Sequence, residues 1–262
     1  FFVFGTLIQV GGLLSERIFT AASPRYKFYE RINTMNTLVA YLIVIAVWAT
    51  TPLGIKWSGE ALPAFAAAGS RMAIAAALGL LWVAARRQGL PLHRRALSSY
   101  AAALPGIFGA MGCSYMAARD LPSGLISVVF GLAPLISGLM MQWLPGGTRL
   151  NGWHWLACLL GLAGLALVFG DSFALLFQDG AALVGDDARR GRGLLWILSA
   201  VTLFAASGIV VQRVGAGLAP MQQTVGGLLF SLPLYALAML LSGQGFDYSG
   251  DQRGLGAIVY LA

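Results

Sequence analysis

From residue 37 onward the chain alternates between long apolar runs and short polar connectors. The runs at 37–57, 63–85, 97–118, 123–144, 152–170, 193–213 and 220–242 are each about 20 residues long, enough to cross a bilayer as a helix. An eighth begins near Gly254 and is still running at Ala262. This pattern predicts an all-α membrane protein, a polytopic helical bundle of about eight spans, the last incomplete. The first residues read differently. "FFVFGTLIQVGGLL" is apolar but short and has no basic flank, which makes it a poor signal peptide. Ser15 to Thr34 is polar and mixed, and Met35 stands just before the first good span. Residues 1–34 are therefore expected to be a non-native or disordered extension, and the C-terminus is expected to be truncated.

Composition removes the soluble alternatives. Hydrophobic residues make up 58% and charged residues 10% of the 262-residue chain, against roughly 25% charged in soluble domains. The net charge of +7 does not point to nucleic acid, because the basic residues sit in connectors, not on a stripe beside stacking aromatics. Those connectors instead orient the bundle. "RRQGLPLHRR" (86–95) holds Arg86, Arg87, Arg94 and Arg95 with no acid, so it belongs on the cytoplasmic side with Met35 and Arg149. "SGEALP" and "RDLPSG" then lie outside with Glu60 and Asp120, and so does the 171–192 connector. Three outside arginines, Arg189, Arg190 and Arg192, run against the rule. The preference for arginine over lysine fits a high-GC bacterial source and hence the inner membrane.

An internal repeat appears at an offset of 156 residues. "VWATTPLGIKWSGEAL" (47–62) sets Trp48 over Phe204, Thr51 over Ser207, Pro52 over Gly208 and Lys56 over Gln212 in "LFAASGIVVQRVGAGL" (203–218). Identities are three, at Ala49, Gly59 and Leu62, but both copies open a span after a connector. Five spans separate the copies. An odd number makes the second enter from the opposite side, which is an inverted-topology repeat of the kind secondary transporters use.

"WATTPLGIKWS" followed by "PAFAAAGSRMAIAAALGLL" resembles the opening helix pair of the drug/metabolite transporter superfamily, specifically its EamA-type repeat. "LPSGLISVVFGLAPLISGLM" (121–140) resembles that family's fourth helix and "GWHWLACLLGLAGLALVFGD" its fifth. The resemblance implies ten helices as two inverted five-helix repeats. Here it would divide the chain into a first repeat at 35–170, a connector at 171–192 and an incomplete second repeat at 193–262. It implies a carrier that moves a small organic metabolite or drug-like compound by alternating access.

Candidate chemistry follows from residues that lipid would not accept. Pro52 frees the carbonyl of Trp48, and the Thr50 and Thr51 hydroxyls can re-satisfy freed backbone groups. Trp48, Pro52 and Lys56 recur every four residues and share roughly one helix face. Lys56 is either a snorkelling anchor or a cavity contact. Arg71, eight residues into the second span, should face the bundle interior or a water-filled cavity, with snorkelling as the alternative. Asp120 and Glu60 are its nearest acids in topology. Tyr115, Ser207 and Gln212 complete the candidate cavity residues: Trp48, Thr51, Pro52, Lys56, Arg71, Tyr115, Ser207 and Gln212. His154, between two tryptophans, reads as an interfacial belt residue. Gly106, Gly109 and Gly112 read as close-packing positions. Cys113 and Cys158 read as small buried hydrophobes. No metal or cofactor is predicted. No acid lies inside a span, so the coupling ion stays open. The expected partners are a small-molecule substrate and the lipid bilayer, with no nucleic acid, and a homodimer is a further expectation. A membrane enzyme or an accessory protein is the alternative; its one paired-acid motif, "GDDARR", lies in a connector.

Overall fold

The computed structural model of the chain describes residues 24–262 except 88, 145–150, 154, 158, 162, 165–166, 168–185, 216–217 and 244. All regular structure among the described residues is helical. Six helical stretches are long and apolar enough to cross a membrane: Tyr41–Ala61, Ala64–Ala85, Arg94–Asp120, Ser123–Trp143, Arg189–Val214 and Pro220–Ser242. The described positions between 152 and 167 are also helical. The eighth run forms a helix over Gln252–Leu261. His154, Cys158, Arg149 and most of the 171–192 connector lie outside the described residues, as do residues 1–23.

Helix α1 runs Pro24–Ala61 and passes through Met35 and Pro52 without a break. The hydroxyls beside Pro52 bond backward along the helix, but not to the carbonyl that Pro52 frees. Thr50 Oγ1 donates to the Ala46 carbonyl at 2.8 Å and Thr51 Oγ1 to the Val47 carbonyl at 2.7 Å, and neither reaches the carbonyl of Trp48. Pro63 separates α1 from α2, Ala64–Ala85. Helix α2 ends at two arginines: Arg86 stacks over the Trp82 ring at 5.0 Å, and Arg87 adopts the left-handed backbone, φ 52°. That conformation usually falls to glycine at a helix end.

The third span is three pieces: α3, Arg94–Leu104; a π-helical turn, Pro105–Ala110; and α4, Met111–Asp120. Proline has no N–H and its ring crowds the carbonyl four residues back, so the chain widens at Pro105. Two hydroxyls from the second half of the protein close on this turn. Ser207 Oγ donates to the Ala102 carbonyl at 3.0 Å, and the Tyr235 hydroxyl donates to the Ile107 carbonyl at 2.7 Å. The fourth span breaks in the same fashion. Helix α5, Ser123–Phe130, ends in a turn at Gly131 and Leu132, and α6, Ala133–Trp143, restarts with Pro134 in its first turn. Beyond the connector come α7, Asp186–Val214, α8, Pro220–Ser242, and α9, Gln252–Leu261.

Several helix pairs in the packing exchange with one another under the 156-residue offset. Helix α1 lies along α9, and its counterpart α7 lies along the third span. Helix α2 lies along its own counterpart, α8. The pair α3–α8 is matched by α9–α2. Small residues permit the close crossings, as helices in lipid require. Gly106 faces Ser207, Gly109 faces Leu203, and Gly112 faces Phe65. The sealed core runs through Ala66, Ala67, Ala68, Met72, Tyr115, Ile126, Ile197, Val201 and Tyr235.

One ion pair ties the two halves at a span end. Arg192 donates from Nε and Nη2 to the two carboxylate oxygens of Asp120, both at 2.9 Å. The Asp120 side chain is 8% exposed and the Arg192 side chain 61%. Arg192 thus has an acidic partner in the folded protein. Asp120 is not the partner of Arg71. Asp120→Arg alone should lower the amount of folded protein recovered in detergent. Adding Arg192→Asp to that variant should restore it, as read by size-exclusion chromatography.

Candidate substrate cavity

A cavity of about 100 Å³ opens between the two halves. Helix α1 supplies Val47, Trp48, Thr51, Pro52 and Ile55; α2 supplies Arg71, α4 Met111, and α5 Ile126, Ser127 and Phe130. The second half supplies Phe204 from α7 and Leu261 from α9. With a 1.5 Å rise per residue, Trp48, Thr51, Pro52, Arg71, Met111, Phe130 and Phe204 lie about 10–15 Å inside the nearer ends of their spans, toward the middle of a bilayer core about 30 Å thick, whereas Ile126 and Ser127 lie only about 5–6 Å in from Ser123. Both irregular spans meet here: Met111 directly follows the π turn, and Phe130 is the last residue before the α5–α6 break. Non-regular backbone at membrane depth belongs where it lines a cavity or is buried in protein.

Four of the eight candidate residues converge on this cavity. Trp48 meets Phe204, its mate in the repeat, edge to face at 5.7 Å between ring centroids. Phe130 also meets Phe204 edge to face, at 6.0 Å between ring centroids. Pro52 is buried and Thr51 half-buried. Arg71 is 5% exposed, which settles its two expected positions in favour of the interior. Its Nε donates to the Leu261 carbonyl at 2.9 Å, and Nη1 lies 3.9 Å from the Met111 sulfur.

The other four candidates are elsewhere. Lys56 Nζ donates to the Ala118 carbonyl at 2.7 Å, so the lysine caps the C-terminal turn of α4, where a cation suits the helix dipole. Tyr115 is fully buried and its hydroxyl accepts from Ser58 Oγ at 3.0 Å. Ser207 is taken up by the Ala102 carbonyl of α3, just before the π turn. Gln212 is exposed on α7. Phe130, Met111 and Ser127 were not singled out from sequence. Phe204 carried a signal, since the repeat sets it opposite Trp48.

A larger groove of about 720 Å³ runs between α2 and α8 past Gly69, Ser70, Tyr235, Met239 and Phe246. Among the described residues its lining has no charged side chain, so it offers little with which to select a polar solute. The smaller cavity has aromatic walls and one cation, and it is the better candidate site. At about 100 Å³ it is below the roughly 300–1,000 Å³ of sites for drug-sized ligands.

Comparison with known proteins agrees with this architecture. No curated protein matches the chain. One solved crystal structure is similar over 83% of this chain and 70% of its own, at 25% identity and a TM-score of 0.57. The model of the EamA-like transporter family matches residues 35–170. Because that match spans more than half of the sequence, this multi-pass membrane protein belongs to the EamA-like transporter family.

Proposed function

We propose that the chain acts as a secondary carrier, moving a small organic metabolite or drug-like compound across a bacterial inner membrane by alternating access, with the Met35 end cytoplasmic. The observation that supports it is the cavity at mid-membrane depth, walled by α1, α2, α4 and α5 of the first half and by α7 and α9 of the second. A site built from both halves changes its opening when one half rocks against the other. Its partners in this reading are the solute and the lipid bilayer, with no nucleic acid, and a homodimer is part of the proposal. Members of the family are transporters, which favours this reading over a membrane enzyme.

Single cysteines test it in intact membranes, with Cys113 and Cys158 replaced by alanine. In an alternating-access carrier, Thr51→Cys is reached by an impermeant thiol reagent from either side, in proportions that shift when solute is present. Ser207→Cys, sealed against the third span, stays unlabelled. Labelling of Thr51→Cys from one side only, unchanged by any solute, rules the carrier reading out.

A further inference from the structure

We propose that the cavity at Arg71 takes a small organic anion, a carboxylate on an apolar or aromatic body. The inference rests on the carrier reading above and narrows its substrate. A guanidinium offers five N–H donors and stays charged. One of those on Arg71 goes to the Leu261 carbonyl and one points at the Met111 sulfur, a weak acceptor. Nη2 has no acceptor among the described residues. Arg71 also has no carboxylate partner among them; the ion pair found there joins Asp120 to Arg192. A cation so buried and unpaired is costly, and an anion arriving at its free edge forms a charge-assisted bond that offsets the cost.

The remaining wall sets the rest of the solute. Trp48, Phe130 and Phe204 supply ring surface, and Pro52 and Met111 supply apolar surface. The hydroxyls of Thr51 and Ser127 donate back into their own helices, at 2.7 and 3.0 Å, so their protons are committed. Among the described residues of the lining Arg71 is the one that is charged, and no acid among them stands there to receive an ammonium group. A cation or a zwitterion would bring a second positive charge to a site with nothing to balance it.

The test uses the full chain with Thr51→Cys as reporter, Cys113 and Cys158 replaced by alanine, in nanodiscs of phosphatidylcholine alone. Both faces are then open and no anionic lipid competes. Maleimide labelling of the reporter is timed with benzoate, benzamide, benzylammonium or phenylalanine. Benzoate is expected to slow labelling about ten-fold and the other three by less than about two-fold, the margin of a charge-assisted contact. Arg71→Gln should raise the half-protecting benzoate concentration by about ten- to a hundred-fold, and Arg71→Lys by less. Equal protection by benzamide or phenylalanine overturns the anion assignment and leaves the carrier reading standing. So does benzoate protection that survives Arg71→Gln. Protection by none of the four overturns the anion assignment and the cavity together. The probe comparison is made with Arg71 intact, so it decides the matter even where Arg71→Gln does not fold.

Discussion

Adding one methyl at Gly254 should force α9 away from α1. A β-carbon placed there meets the Ala61 β-carbon and stands 2.6 Å from the Trp57 carbonyl oxygen. Neither neighbour is the end of a flexible side chain, so the helices themselves have to separate. Overpacking of this kind costs about 1–3 kcal/mol, and more where backbone is the obstacle. The damage also reaches the cavity. Leu261, at the far end of the same helix, lies against Gly54 and accepts from Arg71. Gly254→Ala is therefore expected to lower the unfolding midpoint in detergent and to loosen Arg71 at once. Ala61→Gly in the same chain should recover part of the loss, because it removes one of the two obstacles. Full stability in Gly254→Ala alone would mean that α1 and α9 do not cross at this point.

Tyr235 is the second position of large effect. It is 1% exposed, stands edge to face with Phe108 at 5.0 Å, and gives its proton to the Ile107 carbonyl. Truncation of a large buried side chain costs about 3–5 kcal/mol, so Tyr235→Ala should leave little folded protein. Tyr235→Phe keeps the ring and removes only the proton donor. Leaving a buried carbonyl without its donor costs about 1–3 kcal/mol. Thermal melts of the two variants separate ring from hydroxyl. A Tyr235→Phe protein as stable as the parent would show that the π turn needs no donor from α8.

Run length and charge made the membrane architecture legible in the sequence. The third and fourth spans were read as single runs, 97–118 and 123–144. Their interruptions at Pro105 and at Gly131–Leu132 do not change hydropathy, which is why apolar length alone could not reveal them. The cavity was legible in part. Arg71 and Pro52 stood out because lipid rejects them, and lipid is kept from both.

Lys56 misled for a geometric reason. At 100° per residue, eight residues carry a side chain about 80° round the helix, so Lys56 does not share the face of Trp48. Its amine turns to the end of α4 instead. Ser207 misled because the repeat equates positions, not surroundings. Thr51 faces open space, whereas Ser207 meets Gly106 across a close crossing. The cavity therefore does not share the two-fold relation of the helices around it.

The π turn of the third span has a consequence in time. The carbonyl of Ala102, just before the turn, and that of Ile107, within it, are held by side-chain hydroxyls from α7 and α8. A joint closed by backbone bonds opens only as fast as a helix locally unfolds, on the microsecond scale or slower. A hydroxyl can let go by rotating about its own side-chain bonds, more slowly here than the picosecond-to-nanosecond flips of exposed residues because Ser207 and Tyr235 are buried, yet without breaking a backbone bond. The two halves of this protein are coupled at that turn by fasteners that can let go while every helix stays wound.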